Sequence, residues 1–103
     1  MTQEGALAEI GIQFEWNEHK AAENERKHGV SFLEASTVFD DPLAITQPDR
    51  EHSYGEARYL TFGRSSEERF LVVSHIEIYE AIRIISARLM QRSERKAYEN
   101  DYA

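Results

Sequence analysis

The stretch FLVVSHIEIYEAIRIISAR, Phe70 to Arg88, decides the fold. Apolar on both faces over FLVV, it reads as a long central strand from Arg69 to Ile78, a turn, and a last strand from Ile82 to Ser86. A three-residue loop at Tyr79-Glu80-Ala81 sets Ile78 opposite Ile82, Ile76 opposite Ile84, Glu77 opposite Arg83, and His75 opposite Ile85. That register collects Ile76, Ile78, Ile82 and Ile84 on one face. It is preferred to a one-residue slip, which would pair Glu77 with Ile82 and Ile76 with Arg83.

Working outward, Arg64 to Glu68 turns the chain, Arg58 to Gly63 is a strand, and Leu43 to Thr46 is a shorter one before the polar loop PDREHSYGEA. Upstream the pattern is helical. Asn17 offers a side-chain cap to EHKAAENERKH, and Gly29 is a natural residue to end it, so a helix is expected from Glu18 to His28. Ser31 and Glu34 have the spacing of a capping box, and Phe32, Ala35, Ser36 and Phe39 lie on one face of the helix it starts. Asp40-Asp41-Pro42 stops that helix. A short strand is expected over Ile10 to Trp16 and a final helix over Gln91 to Asp101, packing through Ala97, Tyr98 and Tyr102. The 103 residues are expected to form one domain, 1–103, with 1–10 a tail.

Charge is unevenly spread. The formal net charge is −7, yet Arg83, Arg88, Arg92, Arg95 and Lys96 crowd residues 83–96 around the single acid Glu94. Residues 1–34 instead hold seven acids against three bases. Such polarity points to an anionic partner at one end and a cationic one elsewhere, although the net charge argues against indiscriminate nucleic-acid binding. The absence of cysteine excludes disulfides, thiolate metal sites and thiol nucleophiles and is compatible with a reducing cytoplasm, the expected location. No apolar run is long enough to span a bilayer, so no membrane association is expected.

The segments FEWNEHKAAENERKHGVSFLEASTVFDDP, HSYGEARYLTFG, FLVVSH and RIISAR, in this order from Phe14 to Tyr98, resemble the BrnT family of toxins. The resemblance implies an α+β fold similar to RelE-type ribonuclease toxins, with two N-terminal helices and a C-terminal helix packed on a small antiparallel sheet. It implies endoribonuclease activity that stops translation. It also implies a BrnA-like ribbon-helix-helix antitoxin as partner, with operator DNA contacted only through that antitoxin. The chain departs from the family pattern at Tyr79, where the hairpin usually holds glycine, at Gln91, where a Thr or Ser is frequent, and at Leu89, which replaces a lysine.

Metal-free RNA cleavage needs a base for the ribose 2′-hydroxyl, cations for the phosphorane and an acid for the leaving oxygen. His75 is the candidate base or acid, and Glu77, two residues on, could orient it or act itself. Arg83 and Arg88 are the candidate phosphate grips, completing the expected catalytic set. Lys20, His52, Arg58, Arg92, Arg95 and Lys96 are the candidate RNA contacts. Neither metal nor other cofactor is expected, since His75 and Glu77 have no third ligand at a metal-site spacing. The competing reading is a non-catalytic corepressor subunit of a DNA-binding antitoxin.

Overall fold

A computed structural model of the chain describes residues 12–100. The expected tail over 1–10 and the helix end at Asp101 and Tyr102 lie outside them. Ten elements follow in order. Strand β1 (Gln13–Glu15) leads to helix α1 (Glu18–His28) and helix α2 (Phe32–Ser36), which tightens into a 3-10 turn (Thr37–Asp40). Then come β2 (Ile45–Pro48), a short 3-10 turn (Arg50–His52), β3 (Tyr59–Arg64), β4 (Phe70–Ile78), β5 (Ala81–Leu89) and α3 (Arg92–Asn100). Among the described residues no helix is long and apolar enough to cross a membrane.

The local chemistry of the helix ends explains where they fall. Asn17 Oδ1 accepts the Lys20 amide at 2.9 Å, and Gly29 closes α1 with φ of 69°, a left-handed conformation that costs glycine little. Ser31 Oγ accepts the Glu34 amide at 3.0 Å, which is half of the expected capping box. The other half is missing because the Glu34 carboxylate turns away from the helix end, toward Arg69 and Ser65.

The five strands form one sheet in the order β1-β5-β4-β3-β2. The β4 strand is central, as its two apolar faces require. The sheet is mixed rather than purely antiparallel, because β1 runs parallel to β5 while the other neighbours are antiparallel. Two helices and three strands separate β1 from β5 in sequence, so the chain has room to cross over and enter the far edge in the parallel sense.

Next to the turn the hairpin takes the register that the isoleucine pattern disfavoured, and beyond Ile85 it returns to the expected one, with Ser74 opposite Ser86. Ile78 pairs with Ala81, Glu77 with Ile82, Ile76 with Arg83 and His75 with Ile84. A two-residue turn at Tyr79-Glu80 sets the slip, and a bulge at Ile85, which breaks the ladder between Ser74 and His75, reverses it. The bulge switches the parity of β5, so Ile84 and Ala87 both reach the core. Tyr79 carries φ of 54° with its side chain fully exposed, so it holds a strained backbone without packing in return. Tyr79→Gly is therefore expected to stabilise the protein by about 1 kcal/mol, read as a higher denaturant midpoint.

Side-chain alternation separates two faces. Leu71, Val73, His75 and Glu77 of β4 share one with Thr61 of β3 and Ile84 and Ile82 of β5. Helices α1 and α2 cover this inner face, where Phe14, Val30, Phe32, Ala35, Val38, Leu71, Val73, Ile84 and Ala87 form the core. The outer face carries Phe62 and Arg64, Phe70, Val72 and Ile76, and Arg83 and Arg88. Helix α3 packs against one end of it, where the Tyr98 ring meets Phe70 edge-on at 5.8 Å.

Candidate nucleic-acid interface

The four residues expected to form a catalytic cluster do not converge. His75 and Glu77 sit on the inner face, Arg83 and Arg88 on the outer one: the tight turn moves Arg83 from Glu77 to Ile76, and beyond the bulge Arg88 lies opposite Val72, as it would in the expected register too. His75 is only 1% exposed. Its Nε2 lies 2.7 Å from Thr61 Oγ1, which lies 2.7 Å from Thr46 Oγ1, and the ring packs edge-on against Phe39 and stacks with Tyr59. Among the described residues, His75 Nδ1 is the one buried side-chain polar atom with no partner. We assign the neutral ring with its proton on Nε2, since a bare acceptor is cheaper to leave unpaired than an N–H.

Burial pushes the His75 pKa down from 6.5 to about 4, so His75 is a neutral core residue rather than a surface acid or base. The unfolded chain binds the proton more tightly, so stability is fully present above pH 6.5 and is lost as pH falls toward 4. The loss should reach about 3 kcal/mol by pH 4. A series of melting temperatures from pH 7 to pH 5 should decline for the wild type and stay nearly flat for His75→Leu. Equal declines would show that His75 takes up a proton as readily in the fold as in the unfolded chain.

Glu77 is exposed, but on the opposite side of the sheet from both arginines. Arg83 pairs with Glu15 of β1 at 3.2 Å, not with Glu77. Arg88 donates to both carboxylate oxygens of Glu94, at 2.8 and 2.9 Å, and to the Leu89 carbonyl at 3.1 Å. Hydrogen bonding to Glu94 raises the Arg88 pKa, and the same bond holds the Glu94 carboxyl below its usual range. Arg83 and Arg88 share a face but stand roughly 15 Å apart along the strand. Each is held by a different carboxylate, Arg83 by Glu15 and Arg88 by Glu94.

What the fold does bring together is a group that spacing along the sequence concealed. Arg64 lies directly across the ladder from Phe70, with its guanidinium 5.6 Å from the ring centroid. From α3, the Arg95 guanidinium stacks on the same ring at 4.0 Å. Arg88, opposite Val72, is a diagonal neighbour of Phe70 on this outer face. All three side chains remain partly exposed, and each has a carboxylate beside it: Glu68, Glu94 and Glu99. Arg92 and Lys96, exposed on α3, add cations with no ion pair among the described residues. Arg88, Arg92, Arg95 and Lys96 were legible as a basic run; Arg64 was not, because only the β3–β4 register places it there.

The remaining candidates are dispersed. Lys20 is on α1, exposed, beside Lys27 and His28 at a groove bordered by Ile85 and Ser86. His52 Nδ1 is held 2.9 Å from Asp49 Oδ2 in the exposed loop after β2. Arg58 is half-buried just before β3, its amide donating to Ser53 Oγ at 3.0 Å. Among the described residues no three His, Cys, Asp or Glu side chains are grouped as a metal site would require.

The sequence profile of the ribonuclease toxin BrnT of type II toxin-antitoxin systems matches residues 16–94. The chain belongs to the BrnT family. A 1.1 Å crystal structure of the Brucella abortus ribonuclease toxin BrnT shares the fold with a TM-score of 0.59 and 21% identity, covering 75% of this chain and 94% of that one. Comparison with curated proteins gave no match. As a BrnT member the chain is a toxin of a type II system, of a family described as ribonucleases, and it has an antitoxin for partner. The α+β fold of this chain, with its five-stranded mixed sheet, is similar to that of the Brucella toxin.

Proposed function

We propose that this BrnT chain is a RelE-type endoribonuclease that cleaves RNA in the cytoplasm without a metal ion, stops translation, and is neutralised by a BrnA-like ribbon-helix-helix antitoxin. In the proposed reaction the ribose 2′-oxygen attacks the adjacent phosphorus and the 5′-oxygen leaves, giving a 2′,3′-cyclic phosphate and a 5′-hydroxyl. The observation that carries the reading is the pair of guanidiniums from Arg64 and Arg95 on the Phe70 ring, with Arg88 diagonal to it on the same face and Arg92 and Lys96 on the adjoining helix. Cations fixed on an aromatic ring supply both phosphate contact and a base-stacking surface. They are also the groups that stabilise a phosphorane. The carboxylates paired with them are the proton acceptors at hand, whereas His75 is sealed in the core.

That burial favours a second reading, in which the chain binds RNA or its antitoxin without cleaving and serves as a corepressor subunit. Induction in growing bacteria separates the two. The proposal expects growth arrest by the wild type, weakened by Arg64→Gln/Arg95→Gln, and purified protein that yields cyclic-phosphate ends in the presence of a chelator. No arrest by the wild type and intact RNA would establish the corepressor reading instead.

A further inference from the structure

Helix α1 has two differently charged flanks. At 100° per residue, Glu18, Ala21, Ala22 and Glu25 fall on one side and Lys20 and Lys27 on the opposite side. The first side borders a groove closed by Trp16 and by Phe32 and Leu33 of α2. Apart from Ser31, the lining between the two carboxylates is apolar, and Leu33 is 55% exposed. The two carboxylates stand at the groove's ends, roughly 10 Å apart along the helix. Among the described residues neither is in an ion pair, although Glu15, Glu23 and Glu34 all are. The lysines of α1 face the β5 side and leave this flank uncompensated.

We propose that this groove receives a basic segment of the antitoxin, two cations engaging Glu18 and Glu25 while apolar side chains between them cover Ala21, Ala22 and Leu33. The proposal rests on the toxin-antitoxin reading, and it puts the antitoxin on the far side of the sheet from the guanidinium cluster. Charge complementarity selects the occupant. Residues 1–11 of this chain contain two carboxylates and no lysine or arginine, so the chain's own N-terminus brings the wrong sign. A second copy laid groove to groove would oppose carboxylate to carboxylate.

The chain's single tryptophan, Trp16, lines the groove, so its emission reports occupancy directly. The probe is a synthetic helical peptide with two arginines seven positions apart and leucines between them. Titration into the full chain should shift Trp16 emission saturably, and Glu18→Gln/Glu25→Gln should weaken binding at least ten-fold with the fold unchanged by circular dichroism. Absence of a shift, or equal binding by the double variant, would overturn the proposal. So would a comparable shift on adding a peptide of residues 1–11, or a shift that tracks protein concentration alone, which would identify the tail or a second copy as the occupant. Failure of the ribonuclease reading would appear in the growth assay and leave this titration unaffected.

Discussion

Arg69→Met should lower the unfolding free energy by about 3 kcal/mol, because it leaves the Glu34 carboxylate buried without its counter-ion. Glu34 is 5% exposed on α2. Its Oε2 accepts Arg69 Nε at 3.0 Å and Ser65 Oγ at 2.7 Å, while Arg69 Nη2 reaches both Glu34 Oε1 and the Gly29 carbonyl. One ion pair thus ties the end of α1, the start of α2 and the β3–β4 turn. The Arg69 bond holds the Glu34 carboxyl below its usual 4.5, so this contribution is present above that pH and fades as pH falls through the lowered value. Removing both charges in Glu34→Gln/Arg69→Met should cost less than Arg69→Met alone, since no charge is then stranded. Urea unfolding of the three proteins checks this. An Arg69→Met variant within about 0.5 kcal/mol of wild type would show that the pair is idle.

Asn24→Leu should cost a similar amount, about 3 kcal/mol, through stranded backbone groups rather than a stranded charge. Asn24 is the buried residue of α1. Its Nδ2 donates to the Val30 and Ala87 carbonyls, both at 2.9 Å, and its Oδ1 accepts the Ala87 amide at 3.1 Å. Since β1 pairs with β5 only over Ala81 to Arg83, the edge beyond is open, and the Asn24 amide takes the place of a neighbouring strand at Ala87. Asn24→Asp should do no better than leucine, because a carboxylate would face two carbonyl oxygens. Amide exchange at Ala87 should accelerate in both variants. Unchanged exchange would place the stabilising contact elsewhere.

The helix ends and the central strand were legible because each depends on residues a few positions apart: Asn17 and Gly29 bound α1, and FLVV can only be buried on both sides. The hairpin register was not, because it turns on a bulge at Ile85 and on a tyrosine accepting a backbone that favours glycine. Neither leaves a periodic trace in AIRIISA. His75 carried a signal that went unused. It shares parity with Leu71 and Val73, the face that the helices cover. FLVV hides the cue, since Val72 is apolar too. Glu34 and Asn24 were misread or passed over because their partners lie 35 and 63 residues away, a separation that only the folded sheet closes. The basic run was visible from Arg83 onward, but the ring that organises it, Phe70, looked like any apolar strand residue.

In the proposed reaction RNA is handled by the cations around Phe70 and not by His75. The direct test is the RNA cleavage rate of purified Arg64→Gln/Arg95→Gln beside His75→Leu, each shown to be folded at the assay temperature. The cationic variant should fall by about 100-fold or more while the histidine variant keeps most of its rate. Abolished cleavage in folded His75→Leu with the arginine variant unaffected would contradict it.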